Sequence, residues 1–300
     1  IESILLSLAT LYEYNLYVSQ YFELLDIAPQ VVSPRRPQPF PKPMQQGLRF
    51  QDVYFTYPGS EHPTLKGINL TVAPGECIAL VGLNGSGKTT LLKLLTRLYD
   101  IDQGQIMIDG VPLQQFSLGS LRSQIGILFQ DFARYALNVQ DNIGFGNLPR
   151  RQELDLVTQA AKGAGATAVI DGLDDGYQTI LGKMFSGGVD LSGGQWQKIG
   201  LARAFMSDAQ ILILDEPTAA VDAIAEHDLF QRFRQLTQGK LPFLSALRSP
   251  PFRLPVPFWV LDRAKSPEVV PTPHQLPRTA SYRELLIPNP RSTPSLAFKS

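Results

Sequence analysis

One cysteine, three histidines and no excess of charge of either sign set the first limits on this 300-residue chain. Cys77 has no partner for an internal disulfide, and its setting in Cys77-Ile78-Ala79-Leu80 predicts a buried packing role in a reducing, cytosolic environment. Twenty-seven basic residues cancel twenty-seven acidic ones, so there is no overall positive field to gather DNA, RNA or anionic lipid, and nucleic acid is excluded as a first reading. Charged residues interrupt every apolar run before the roughly 18 to 20 residues that cross a bilayer, so the chain is not expected to span a membrane alone. A secretory signal is also lacking. The start at Ile1-Glu2-Ser3, without methionine, leads us to expect a missing upstream part. What is present is 44% apolar residues, enough to fill a real core.

Ile1, Ile4, Leu8, Leu11, Val18, Phe22 and Leu25 fall on one heptad-spaced stripe, interrupted only by Asn15, which predicts a helix with one sticky face over residues 1–25. The alternating prolines of Ser33-Pro34-Arg35-Arg36-Pro37-Gln38-Pro39-Phe40-Pro41-Lys42-Pro43 remove amide donors and predict an extended linker. From Leu48 to Tyr57 apolar and polar residues alternate, and Pro74-Gly75-Glu76 turns into an apolar strand, Cys77 to Val81. Helix is predicted for Lys88 to Leu98 and Gly194 to Phe205, strand for Ile125 to Phe129 and Ile211 to Leu214, so the class is α/β. Twelve of the 24 prolines fall within residues 241–300, where regular helix is not expected.

Three strings carry chemistry. Gly82-Leu83-Asn84-Gly85-Ser86-Gly87-Lys88-Thr89 fits G-x-x-x-x-G-K-[ST], directly after a strand and directly before a helix, the context a phosphate-binding P-loop requires. Its glycines let several backbone N–H groups and a helix N-terminus face a triphosphate, with Lys88 adding charge and Thr89 a magnesium ligand. Ile211-Leu212-Ile213-Leu214-Asp215-Glu216 is a buried-strand pattern that delivers two acids to the edge of a nucleotide crevice. Asp215 suits magnesium, and Glu216 suits the polarisation of a water that attacks the γ-phosphate. Leu191-Ser192-Gly193-Gly194-Gln195 makes a second anion-binding helix start, one more than a single nucleotide needs.

With P-loop, LSGGQ and Asp-Glu strand in this order, the sequence resembles the ABC transporter ATPase family from about Leu48 to Lys240. Gly182 to Phe205 resembles the export-type branch in particular. The resemblance implies a P-loop NTPase fold of the ABC ATPase type, with a helical signature subdomain and an antiparallel β subdomain. Two such domains would sandwich two ATP molecules, the P-loop of one, Gly82 through Thr90, facing Ser192, Gly193, Gly194 and Gln195 of the other. Tyr57 then matches the aromatic that stacks on adenine. Gln130 matches a glutamine that touches magnesium and couples the site to the membrane domain, and Asp222 an aspartate that communicates across the dimer. Catalysis would rest on Glu216, Lys88 and Gln130, and Mg²⁺ on Thr89, Gln130 and Asp215.

The implied organisation is a cytoplasmic helix (1–32) adjoining a transmembrane domain, a proline-rich linker (33–47), the ATPase domain (48–240) and an aberrant proline-rich tail (241–300). The implied partners are a second ABC ATPase domain, identical or homologous, and the transmembrane domain of an exporter, at the cytoplasmic face of the membrane. One departure stands out. Where the family carries a histidine that contacts the γ-phosphate, this chain has Leu247, which cannot donate a hydrogen bond. Trp259 to Arg263 resembles the family's next strand and Tyr282 to Leu285 its terminal helix, set among prolines, so compensating reading-frame errors are expected across residues 241–300, with genuine divergence as the alternative. Two other readings stay open: a soluble ABC ATPase of DNA repair or translation, and a module that binds ATP but hydrolyses it poorly.

Overall fold

The computed structural model describes residues 2–185, 187–217, 231–233, 237, 239–246, 258–260 and 268–270. The chain divides into two units, Ile1–Val32 and Ser33–Ser300. In the first, helix α1 (Glu2–Leu25) forms where the heptad stripe predicts it and buries none of its side chains. Leu5, Leu6, Tyr12, Leu16 and Leu24, off the stripe, are as exposed as the residues on it. Apolar residues therefore lie on every side of the helix, interspersed with polar ones such as Glu13, Asn15 and Gln20. Among the described residues no helix is long and apolar enough to cross a membrane.

The second unit begins with β1 (Leu48–Phe55), β2 (Leu65–Val72), β3 (Ile78–Val81) and α2 (Lys88–Leu95). There follow β4 (Gln103–Ile108), β5 (Val111–Pro112), α3 (Leu118–Ser123) and β6 (Ile125–Leu128). A helical stretch comes next: α4 (Val139–Gly144), α5 (Leu154–Gly163), α6 (Thr167–Asp171) and α7 (Gly193–Met206). Strands β7 (Ile211–Asp215), β8 (Leu241–Ala246), β9 (Phe258–Val260) and β10 (Glu268–Val270) complete the strands among the described residues. An antiparallel sheet has the order β2-β1-β4-β5, and a second sheet the order β10-β9-β3-β8-β7-β6, parallel except for β10.

Alternation along β7 explains how this second sheet is covered on both faces. Ile211 and Ile213 join one core, with α2 and the antiparallel sheet, while Leu212 and Leu214 join another with α4 to α7. A strand buried on both faces must be apolar throughout, which is why its sequence reads as an unbroken run. Strand β8 lies between β3 and β7 although Pro242, opposite Leu212, has no amide to give the ladder. Burial of Leu241, Phe243 and Leu244 holds it there. Cys77 precedes β3 and is half-buried, less enclosed than its apolar neighbours led us to expect.

The proline-rich segment lies on the second unit as a strap. Ser33 Oγ accepts from the Leu118 amide at 2.9 Å, and the Gln38 amide donates to the Gln115 carbonyl at 2.8 Å. Phe40 packs on Phe116 with ring centres 5.4 Å apart. Gln210, just before β7, grips the strap twice: its amide nitrogen donates to the Pro41 carbonyl at 2.7 Å and its oxygen accepts from the Met44 amide at 3.1 Å. Asp109 accepts the amides of Gln45, Gln46 and Gly47 at 2.7 to 2.8 Å.

Candidate functional site

Parallel strands bring their carboxyl ends to one edge of a sheet, and loops leaving that edge form the crevice. Here the register pairs Val81 of β3 with Ala246, and Asp215 of β7 with Ser245, so the P-loop and the two acids emerge side by side. Between β3 and α2 the chain turns through a bond from the Ser86 amide to the Leu83 carbonyl, 3.1 Å. Gly85 and Gly87 take φ of 78° and 98°, the left-handed region that glycine enters without steric cost. Gly87 caps α2, so amides of the first helical turn face the loop's hollow, the arrangement that favours an anion.

Lys88 opens α2 and folds back over the loop, donating to the carbonyls of Gly82 at 2.8 Å and Leu83 at 3.2 Å. Its side chain is 4% exposed, and its ammonium lies 3.6 Å from Glu216 Oε1, whose side chain is 8% exposed. Glu216 itself has φ of 51°, costly for a residue with a side chain. The next strand holds it: the Glu216 amide donates to Ser245 Oγ at 3.0 Å, and the Ser245 hydroxyl donates to Asp215 Oδ1. From the other side, the Gln197 side-chain amide of α7 donates to the Pro217 carbonyl. Neither Ser245 nor Gln197 was singled out by motif. A polar residue ending the apolar run Leu241–Leu244 was the available signal for Ser245, legible only once β8 is known to lie beside β7.

Among the described residues, three buried oxygens here, Ser86 Oγ, Asp215 Oδ2 and Gln197 Oε1, have no hydrogen-bond partner. Native proteins pair their buried polar groups, so such atoms point to something supplied from outside. A loop that offers amides and an ammonium, together with a carboxylate oxygen left unpaired, fits a magnesium-bound polyphosphate. Mg²⁺ is characteristically held by one or two carboxylates, waters and the phosphates themselves. No cluster of three or more His, Cys, Asp or Glu that could hold a metal by itself occurs among the described residues.

The remaining predicted residues fall as follows. Thr89 and Thr90 follow Lys88 in α2, and the Tyr57 hydroxyl lies 3.1 Å from Thr90 Oγ1. The Tyr57 ring stands edge-on to Phe55 at 4.9 Å and to Tyr99 at 5.2 Å. Gln130 is exposed just beyond β6, at the same sheet edge as Glu216, because Leu128 pairs with Leu214. Asn84 and Leu83 are exposed on the loop. Ser192 caps α7 in a reciprocal box with Gln195: its oxygen accepts the Gln195 amide at 3.3 Å, and the Gln195 side chain accepts the Ser192 amide at 2.8 Å. Among the described residues no hydrogen bond or ion pair joins Ser192, Gly193, Gly194 or Gln195 to the P-loop. A Cβ built on Gly193 or Gly194 meets nothing within 4 Å, so packing inside the chain does not demand glycine there. Asp222 and Leu247 lie outside the described residues, as do Leu261 to Arg263 and Tyr282 to Leu285; Trp259 and Val260 fall in β9.

The helical subdomain is joined to the loop after β6 by Arg203. This α7 side chain donates to the Asn142 carbonyl at 2.7 Å and to the Ala133 carbonyl at 2.9 Å, and it lies over the Tyr135 ring at 4.8 Å. Burial draws its pKa below the usual guanidinium value.

A sequence profile described as ABC transporter matches residues 65–219. The chain is 37% identical over 264 residues to the subtilin transport ATP-binding protein SpaT of Bacillus subtilis, covering 88% of this chain and 43% of that protein. It is 45% identical over 204 residues to the ATP-dependent lipid A-core flippase of Dechloromonas aromatica (strain RCB), covering 68% and 34%. A solved structure of a bacterial Atm1-family ABC exporter with ATP bound superposes with a TM-score of 0.81 at 30% identity, covering 92% of this chain and 47% of that one. The chain thus spans less than half the length of these relatives.

Proposed function

This chain belongs to the ABC transporter family, and from that premise we propose that it is the ATP-binding and ATP-hydrolysing part of an exporter, coupling hydrolysis to the movement of a substrate across a membrane. The observation that carries the reading is the meeting of Lys88, Asp215 and Glu216 at one sheet edge, with Asp215 Oδ2 buried and unpaired. Phosphate entering the loop would draw Lys88 away from Glu216, freeing that carboxylate to polarise the attacking water. Mg²⁺ held by Asp215, Thr89 and Gln130 would neutralise phosphate charge. Tyr57, whose hydroxyl lies beside Thr90, would receive the adenine.

The bare glycines that open α7 support a partner that supplies phosphate from outside. In this reading a second ABC ATPase domain closes on the first, and each signature completes the other's site. The apolar surround of α1 supports contact with the transmembrane part of an exporter, at the cytoplasmic face. Hydrolysis requires the closed pair, and ATP binding favours it.

The test is Mg²⁺-dependent ATP hydrolysis by the full chain beside Gly194→Asp. The added carboxylate has room to sit without disturbing the fold, but it opposes a phosphate arriving from the partner. ATP affinity and thermal stability should be unchanged while hydrolysis drops at least about tenfold, the loss of about 1.4 kcal/mol of transition-state stabilisation. Equal hydrolysis in the variant would sink the shared-site reading. A second reading, an ATP-binding module impaired in hydrolysis, is favoured by Leu247; ATP binding without turnover, with turnover restored by Leu247→His, would select it.

A further inference from the structure

We propose that Ser245 is a positioning residue for the Mg²⁺–ATP site, with its hydroxyl setting both the carboxylate of Asp215 and the backbone of Glu216. The inference rests on the reading of Asp215 as a magnesium ligand and of Glu216 as the base.

Ser245 and Asp215 are each 1% exposed, so water does not compete for their bonds. A serine hydroxyl has one proton to give and lone pairs to receive, and both capacities are used here. The proton goes to Asp215 Oδ1; a lone pair accepts the Glu216 amide at 3.0 Å. The first bond fixes the rotation of the carboxylate about its Cβ–Cγ axis. One oxygen is thereby occupied, and Oδ2 is the oxygen left unpartnered for an incoming cation. The second bond holds the amide of a residue whose φ of 51° is disfavoured for any side chain, so the Glu216 turn depends on an acceptor in the neighbouring strand. Strand register makes the arrangement possible, since Ser245 is the direct partner of Asp215. Alanine at 245 has neither capacity, cysteine a weak donor, threonine both.

The experiment titrates the full chain with a fluorescent ATP analogue, first in EDTA and then across a Mg²⁺ series, with thermal melting to establish folding. Ser245→Ala should leave affinity in EDTA unchanged and raise the Mg²⁺ needed for half-maximal tightening by about tenfold, the usual scale for losing a hydrogen-bond partner of a metal ligand. Ser245→Thr should stay close to the parent and Ser245→Cys fall between. A Mg²⁺ requirement unmoved in Ser245→Ala overturns the inference if Asp215→Asn raises it. If Asp215→Asn does not raise it either, the site reading fails and takes the inference with it. Threonine as impaired as alanine also overturns the inference, because packing and not the hydroxyl would then be responsible. Should the alanine variant fail to fold, the comparison of cysteine with threonine decides: a clear rise for cysteine alone supports the role, and equal, parent-like requirements overturn it.

Discussion

Glu216→Gln is expected to bind ATP as the parent chain does and to hydrolyse it about 10²- to 10⁴-fold more slowly, the contribution of a positioned general base. The substitution keeps shape and removes the charge. Glu216 is 9% exposed and 3.6 Å from the Lys88 ammonium, so its carboxylate is held for a purpose other than solvation. Its backbone contacts do not involve the side chain, because the amide bonds Ser245 and the neighbouring Pro217 carbonyl bonds Gln197. The turn should therefore survive the change. Single-turnover hydrolysis with radiolabelled ATP, beside an equilibrium binding curve, separates the two quantities. Undiminished turnover would move the base to another residue and leave Glu216 as the counter-charge of Lys88.

Lys88→Met should act on binding and on stability together. Charge-assisted hydrogen bonds contribute about 1.5–3 kcal/mol each, so losing the ammonium should weaken ATP binding by roughly 10- to 100-fold or more. Removing one member of a buried pair also strands the other, at a cost of about 3–5 kcal/mol. The surviving carboxylate at 216 would be the stranded charge. Adding Glu216→Gln to Lys88→Met removes that charge and should return most of the lost stability without returning ATP binding. Urea unfolding of the four chains in a double-mutant cycle measures the coupling directly. Additive effects on stability would mean that the pair, although 3.6 Å apart, contributes nothing to the fold.

The parts of the fold that were legible in the sequence are those whose local pattern and tertiary demand agree. Ile211 to Leu214 reads as a doubly buried strand because both faces of β7 are covered, and Ser192-Gly193-Gly194 reads as a helix start because the cap and its box are local. The P-loop was legible for the same reason: strand, glycines and helix follow one another in the chain. Residues 241–246 were not legible as a central strand, since Pro242 argues against one and only burial between β3 and β7 overrides it. Ser245 depends on that strand and was hidden with it. The surround of α1 was underread because a heptad template counts one stripe and passes over Leu5, Leu6 and Leu16. Gln195 matches a family position by sequence, yet its side-chain oxygen is engaged in capping its own helix.

The strap over residues 33–47 alters what changes of length the chain can absorb. A spacer is indifferent to a lost or gained residue, because only its reach matters. This segment has a sequence of appointments to keep: Ser33 at Leu118, Gln38 at Gln115, Phe40 at Phe116, Pro41 and Met44 at Gln210, and residues 45–47 at Asp109. Deleting one residue between Ser33 and Gly47 would put every later contact out of phase. Among homologous chains, insertions should therefore collect ahead of Ser33, and the proline stretch should evolve by substitution, with its residue count held constant.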